Sequence, residues 1–192
     1  MQADDANRTG PSGWAAPAGG AVLALPVAIR FARREDLGDL EWFGLHTPHR
    51  EIIANAFRMQ ERGNGALLVA TANGFPAGQI CIDFARKRQL GRATLWALRV
   101  FQPFRKLGLG SRLMAAAEGT VLARGLGEAE LGVDRDNPGV LAFYDRLGYE
   151  PCGNERGRYS YRTPAGERVE IAIDQWLLRK TLRAEAPRRL AL

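Results

Sequence analysis

Residues 104–113 read FRKLGLGSRL: two glycines two apart, behind a basic pair. A run of β-forming residues precedes them, and a run with helical periodicity follows. An α-helix leaves its first backbone N–H groups unpaired. Its aligned peptide dipoles add roughly half a positive charge there. An anion therefore settles on a helix entrance that no side chain obstructs. Gly108 and Gly110 present bare backbone, and Arg105 and Lys106 add attraction, so the stretch reads as a phosphate cradle. Spacing excludes two other cradles. A P-loop needs Gly-x4-Gly-Lys-Ser/Thr, which is absent, and a dinucleotide fingerprint needs a third glycine where Leu113 stands. A glycine-rich turn that merely packs a strand against a helix is the alternative.

A second stretch carries chemistry at residues 131–149, LGVDRDNPGVLAFYDRLGY. Asn137 suits a helix cap, Pro138 the first helical position, and Gly148 the stop. Asn137 and Tyr144 are seven residues apart, two helical turns, and so share a face. Tyr144 is either a reactive phenol or a half-buried core residue beside Phe143.

The elements that must position these residues follow from periodicity. VAIRFA (27–32) reads as a strand, and REDLGDLEWFGLH as a helix with Leu37, Leu40 and Leu45 near helical spacing. HREIIANAFRMQERGNG (49–65) is a second helix that Gly63 stops. A hairpin follows, with strands near 66–72 and 77–86 and its turn at Asn73-Gly74. RATLWALRVF (92–101) is a strand. Leu109, Leu113, Ala116, Ala117 and Val121 give a helix over about 108–124. EAELGV (128–133) is a strand, the tyrosine helix follows, and RYSYRTPAGERVEIAIDQWLLRK closes as a hairpin turning at Pro164-Ala165-Gly166. Strand, two helices, three strands, helix, strand, helix, two strands predicts an α/β mixed sheet with helices on both faces. One domain over 26–183 is expected, with Gly, Ala and Pro marking 1–25 as a tail and 184–192 as another.

Composition narrows the function. The chain has 192 residues, 46% hydrophobic, enough for one packed core. No apolar run reaches the roughly 20 residues that span a bilayer, and no basic segment precedes the patch AVLALPVA as in a secretory leader. Only Cys81 and Cys152 are present, in no metal-ligand spacing. These features predict a cytoplasmic protein without a bound metal. The net charge of +6 is spread among interleaved acids, so neither nucleic acid nor membrane is an expected partner.

Together, the Arg-x-x-Gly-x-Gly of 105–110 and the segment with Asn137, Ala142, Phe143, Tyr144, Gly148 and Tyr149 resemble the GNAT superfamily of N-acetyltransferases. The opening IRFARREDLGDL and the closing WLLRKTL are similar to the family's ends, so the resemblance covers about 27–182. It implies a mostly antiparallel sheet of about seven strands, splayed between strands 4 and 5. It implies acetyl-CoA as co-substrate. The pyrophosphate would lie on the backbone N–H groups of Lys106, Leu107, Gly108, Leu109, Gly110 and Ser111, beside Arg105. The pantetheine arm would pair along Leu98 and Val100, and Asn137 would contact the cofactor. Tyr144 matches the family's general acid: a leaving thiolate, of pKa about 8.5 as a free thiol, is stabilised by a nearby phenol.

The implied reaction moves the acetyl group to a primary amine by direct attack in a ternary complex. A sensor that binds acyl-CoA without turnover is the alternative. Small amines, amino acids and peptides are the expected acceptors, and a homodimer is a common state in such families. An amine of pKa about 10.4 costs about 4.6 kcal/mol to deprotonate at pH 7, and an α-amine near 7.8 about 1. Many family members place a glutamate on the fourth strand for this, but 93–100, ATLWALRV, has no carboxylate. That leaves a water chain, or a group such as Asp83, Glu41, His46 or His49, none assigned a catalytic role. Arg156, Arg158 and Arg162 are either a carboxylate clamp for the acceptor or a solvated basic edge.

Overall fold

The computed structural model describes residues 24–183. The tails expected at 1–25 and 184–192 lie, apart from residues 24 and 25, outside the described residues. Seven strands form one sheet: β1 (Val27–Phe31), β2 (Gly65–Ala72), β3 (Phe75–Asp83), β4 (Arg92–Val100), β5 (Glu128–Asp134), β6 (Glu150–Arg162) and β7 (Arg168–Thr181). Their order is β1-β2-β3-β4-β5-β7-β6. Every pairing is antiparallel except β4 with β5. The helices α1 (Asp36–Asp39), α2 (Arg50–Glu61), α3 (Leu109–Ala123) and α4 (Pro138–Asp145) follow the order read from the sequence.

Two apolar clusters sit on opposite faces of the sheet. On one face Leu113, Met114, Ala117 and Val121 of α3 meet Ile80, Leu95, Leu131 and Tyr149. Burying a side chain of this size is worth about 1.5–3 kcal/mol, so this stripe fixes α3 and with it the glycine turn at its entrance. On the other face Ile53, Ala56 and Phe57 of α2 pack with Leu40, Trp42, Leu67 and Cys81.

The first helix is much shorter than its periodicity predicts. Leu40 is fully buried, but Leu45 is 58% exposed, because the chain leaves the helix between them. Trp42, Phe43 and Gly44 adopt consecutive left-handed conformations. The Trp42 indole N–H donates to the Pro76 carbonyl at 2.7 Å, and its ring is 2% exposed. A tertiary hydrogen bond and a buried indole thus override helical propensity. Two strand limits also differ from the sequence reading: β3 begins at Phe75 and ends at Asp83, and β6 begins at Glu150, well before Arg158. The Asn73-Gly74 turn has both residues at positive φ, as a tight hairpin requires.

Glu130 of β5 is a buried carboxylate that ties the sheet's middle together. It pairs with Lys87, with Arg92 at 3.7 Å and with Arg179 at 3.4 Å. Burial works to raise its pKa, but the Lys87 hydrogen bond and the surrounding cations hold it below the usual carboxylate range. A depressed folded-state pKa gives stability that is complete above the unfolded value, about 4.3, and is lost as pH falls through the folded one. Glu130→Gln is therefore expected to lower unfolding free energy by about 1–3 kcal/mol at pH 7. In urea melts the gap from wild type should shrink below about pH 4. A gap independent of pH would contradict the ionic role.

Candidate active site

The glycine turn is built as the sequence reading requires. After β4 the chain makes a short 3-10 turn, Gln102–Phe104, and then enters α3. Lys106 (φ 63°) and Gly108 (φ 80°) take left-handed conformations on either side of the exposed Leu107. Leu109 is buried, 4% exposed, against Ala72 and Ala77, and anchors the turn. The first bond across the helix start is from Arg112 N–H to the Gly108 carbonyl. The backbone N–H groups of Lys106, Leu107, Gly108, Leu109, Gly110 and Ser111 donate to no partner among the described residues. Six free donors on an exposed, cationic turn are able to receive an anion. Gly110 lies against α4: a Cβ there would meet the Phe143 ring at 3.5 Å.

Beside the cradle the sheet comes apart. The parallel β4–β5 register runs from Arg92↔Glu128 to Leu95↔Leu131 and stops. Beyond it, 96–100 of β4 have no strand on that side. The N–H and C=O of one trans peptide unit point in opposite directions. Phe101 N–H donates to the Ala77 carbonyl on β3 at 2.8 Å, so the Val100 carbonyl faces the gap, where the Arg105 Nε reaches it at 3.0 Å. By strand alternation the backbone of Leu98 faces the same way. An extended group bearing amides finds there the donors and acceptors of a missing strand.

A bulge decides which side chains flank that gap. Ala97 has φ 51°, and the β3–β4 register shifts between Gln79 and Cys81. Trp96 and Ala97 consequently both join the α2 face, whereas Leu98 and Val100 turn to the α3 face. The residue between these two, Arg99, faces α2. Its guanidinium Nη1 lies 3.5 Å from His46 Nδ1.

Asn137 caps α4, its Oδ1 accepting from Val140 N–H at 3.4 Å, and is exposed. Tyr144 is 8% exposed, its ring edge-on to Phe143 and Tyr149, in the apolar cluster that also holds Leu131 and Val133 of β5 and Leu98 and Val100 of β4. Burial pushes its phenol up to about 12, so it carries its proton at any physiological pH. Both cysteines are free thiols; Cys152 is exposed, and burial pushes the Cys81 thiol up to about 12.

Of the groups weighed as bases, the two carboxylates are engaged, and burial weakens both histidines as bases. Glu41 accepts from Thr47 and Arg50. Asp83 accepts from the N–H groups of Ala85 and Arg86. Burial, then the charge of Arg99, lowers His46 to about 4. The arginines of the last hairpin are solvated: Arg158 pairs with Glu170 at 2.9 Å and Arg156 with Asp174 at 3.4 Å, while Arg162 donates to the Gly166 carbonyl. Alternation along β6 sends Tyr159 and Tyr161 to the opposite face, where Tyr161 meets the His49 ring at 5.3 Å. Arg99 is the residue that the sequence reading missed as a side chain. A single cation inside the apolar run ATLWALRV was its signal.

This architecture is that of N-acetyltransferases of known structure. It is similar to the ribosomal-protein-S18-alanine N-acetyltransferase from Escherichia coli, with a TM-score of 0.61 and 20% identity over 87% of this chain and 100% of that one. It is similar to the ribosomal-protein-alanine N-acetyltransferase from Brucella melitensis, with a TM-score of 0.63 and 20% identity over 81% and 99%. The PaiA N-acetyltransferase from Thermoplasma acidophilum, in complex with coenzyme A, gives a TM-score of 0.60 and 19% identity over 81% and 99%. The sequence profile of the acetyltransferase (GNAT) family matches residues 29–149, and the chain belongs to that family. Among the described residues no helix is long and apolar enough to cross a membrane, and no three His, Cys, Asp or Glu side chains gather as a metal site.

The bulge makes a stability test of the site's frame. A left-handed Ala97 costs about 1 kcal/mol, and a β-branched residue costs more. Ala97→Gly is expected to leave the melting temperature unchanged or raise it. Ala97→Val should lower unfolding free energy by about 1–3 kcal/mol in denaturant titrations. Equal stability of the two variants would mean that the bulge is not held as described.

Proposed function

We propose that this chain moves the acetyl group of acetyl-CoA to a primary amine by direct attack in a ternary complex. The observation that carries this reading is the juxtaposition of six unpaired N–H groups, from Lys106 to Ser111, with a strand end whose Val100 carbonyl faces an open gap. The first suits a pyrophosphate, and the second suits an extended arm bearing amides. Bound there, acetyl-CoA would supply the acetyl group as an activated thioester.

The chain's own residues do the rest. Arg105 and Lys106 attract the anion, and the left-handed turn at Gly108 aims the free N–H groups at it. Leu98 and Val100 align the arm along β4. Tyr144 keeps its proton on Oη and offers it as a hydrogen bond where negative charge develops at the end of the slot. With Asp83 and Glu41 hydrogen-bonded elsewhere, both histidines weakened as bases by burial, and no carboxylate on β4, the amine reaches the site already neutral. That favours α-amines beside an amide, of pKa about 7.8, over lysine-like amines by about 3–4 kcal/mol near pH 7.

The deciding assay is release of CoA thiol from acetyl-CoA across polyamines, amino acids, aminoglycosides and short peptides with free N-termini. Turnover on one of these classes is expected. Acetyl-CoA binding without turnover on any amine would overturn the reading in favour of a sensor. Tyr144→Phe should lower kcat by about a hundredfold or more and leave acetyl-CoA affinity within about twofold. Unchanged turnover would remove Tyr144 from the reaction.

A further inference from the structure

Unused chemistry sits on the α2 face of the sheet, beside the open end of β4. Arg99 is half-buried there, and no Asp or Glu among the described residues pairs with it. Burial lowers its pKa, and no carboxylate is among the groups that act against this. Glu41 and Asp134 are engaged elsewhere, Glu41 by Arg50 and Asp134 by the Gln175 side chain at 2.7 Å. A half-buried guanidinium without a counter-ion is a standing cost in the folded state. It is the sort of cost found where a ligand supplies the missing charge.

Two unsatisfied polar atoms lie in the same neighbourhood. Gln79 is Arg99's partner across β3–β4, is 1% exposed, and its Oε1 meets no hydrogen-bond partner among the described residues. His49 Nδ1 is likewise buried and unpaired. Aromatic rings surround the cluster. Trp42 stacks on Phe101 at 5.4 Å and meets His46 edge-on at 5.0 Å, and His49 lies between His46 at 5.8 Å and Tyr161 at 5.3 Å. Aromatic rings and a few polar atoms thus share one sheet face with a single cation, whose guanidinium lies 3.5 Å from His46 Nδ1.

We propose that Arg99 receives a carboxylate carried by the acceptor, which is therefore an amine bearing a free acid group, of the amino-acid class. This rests on the acetyl-transfer reading above. One planar guanidinium matches one planar carboxylate in charge and in bidentate geometry. The phenols of Tyr159 and Tyr161 can donate to the same anion, and the rings of Trp42 and Phe101 can cover an apolar side chain. Of the two readings of Arg156, Arg158 and Arg162, the solvated edge fits their partners, and the carboxylate clamp falls to Arg99. Those three are held by carboxylates or a carbonyl, whereas Arg99 meets only the His46 ring nitrogen, at 3.5 Å.

The test compares free amino acids with their carboxamides as acceptors in the thiol-release assay. The amide's amine is less basic and more often neutral, so chemistry alone favours the amide. Wild type is expected to prefer the acids by about 30- to 100-fold in kcat/KM. Arg99→Gln should bring acid and amide within about threefold of each other, chiefly through KM, and Arg99→Lys should restore part of the preference. Removing an unpaired buried charge should also raise the melting temperature of Arg99→Gln by a few degrees, which a merely structural arginine would not do. Turnover on amines with no preference for acids, or a preference that survives Arg99→Gln, would overturn the proposal and leave acetyl transfer standing. If no amine is turned over, the acetyl-transfer reading has failed. Titration of N-acetylated amino acids and their amides into wild type and Arg99→Gln then decides the carboxylate site alone. Binding of the acids that Arg99→Gln abolishes supports it, and no binding of the acids, or equal binding by both proteins, overturns it.

Discussion

β4 and β5 hold each other from Arg92 to Leu95 and no further, and the rest of the molecule is organised around that interruption. Parallel neighbours must diverge if a ligand is to pair along one of them, and divergence exposes backbone groups that have to be satisfied. Here the cost is spread over a large frame. Glu130 and its cations clamp the paired half of the two strands. Leu113, Met114 and Val121 hold α3 over the sheet, so the turn at Gly108 stays fixed beside the opening. The free N–H groups and the free strand edge are then adjacent because one turn joins them.

The bulge at Ala97 extends the same logic to side chains. A one-residue slip sends each following side chain to the other face of a sheet. With it, Leu98 and Val100 face the α3 core, while Arg99 points at His46 under α2. The strand thus leaves its backbone edge open toward the gap and turns a charged side chain toward α2. The lone Tyr144 proton lies on the α3 side, held in place by burial beside Tyr149.

Much of this was legible in the sequence. The strand, glycine turn and helix were, because a glycine at a helix entrance and a preceding strand act locally and at fixed spacing. The cap at Asn137 was legible for the same reason, as were the element order and the mixed sheet. The first helix was misjudged beyond Asp39 because the Trp42 hydrogen bond to Pro76 joins residues 34 apart in the chain, which periodicity does not register. Arg99 was missed for a related reason. Strict alternation from Leu95 puts it on the α3 face, and only the left-handed residue at Ala97 reverses that. The hairpin arginines drew attention by their number, but their partners Asp174 and Glu170 sit across the strand pair.

The most direct measurement is backbone hydrogen exchange, residue by residue, with and without acetyl-CoA. Protection is expected to rise at the amides of Leu98 and Val100 and from Lys106 to Ser111, while 92–95, already paired with β5, stay as they were. Acetyl-CoA binding that leaves the Leu98 and Val100 amides and the glycine turn unprotected would contradict the assignment of this opening as the cofactor's seat.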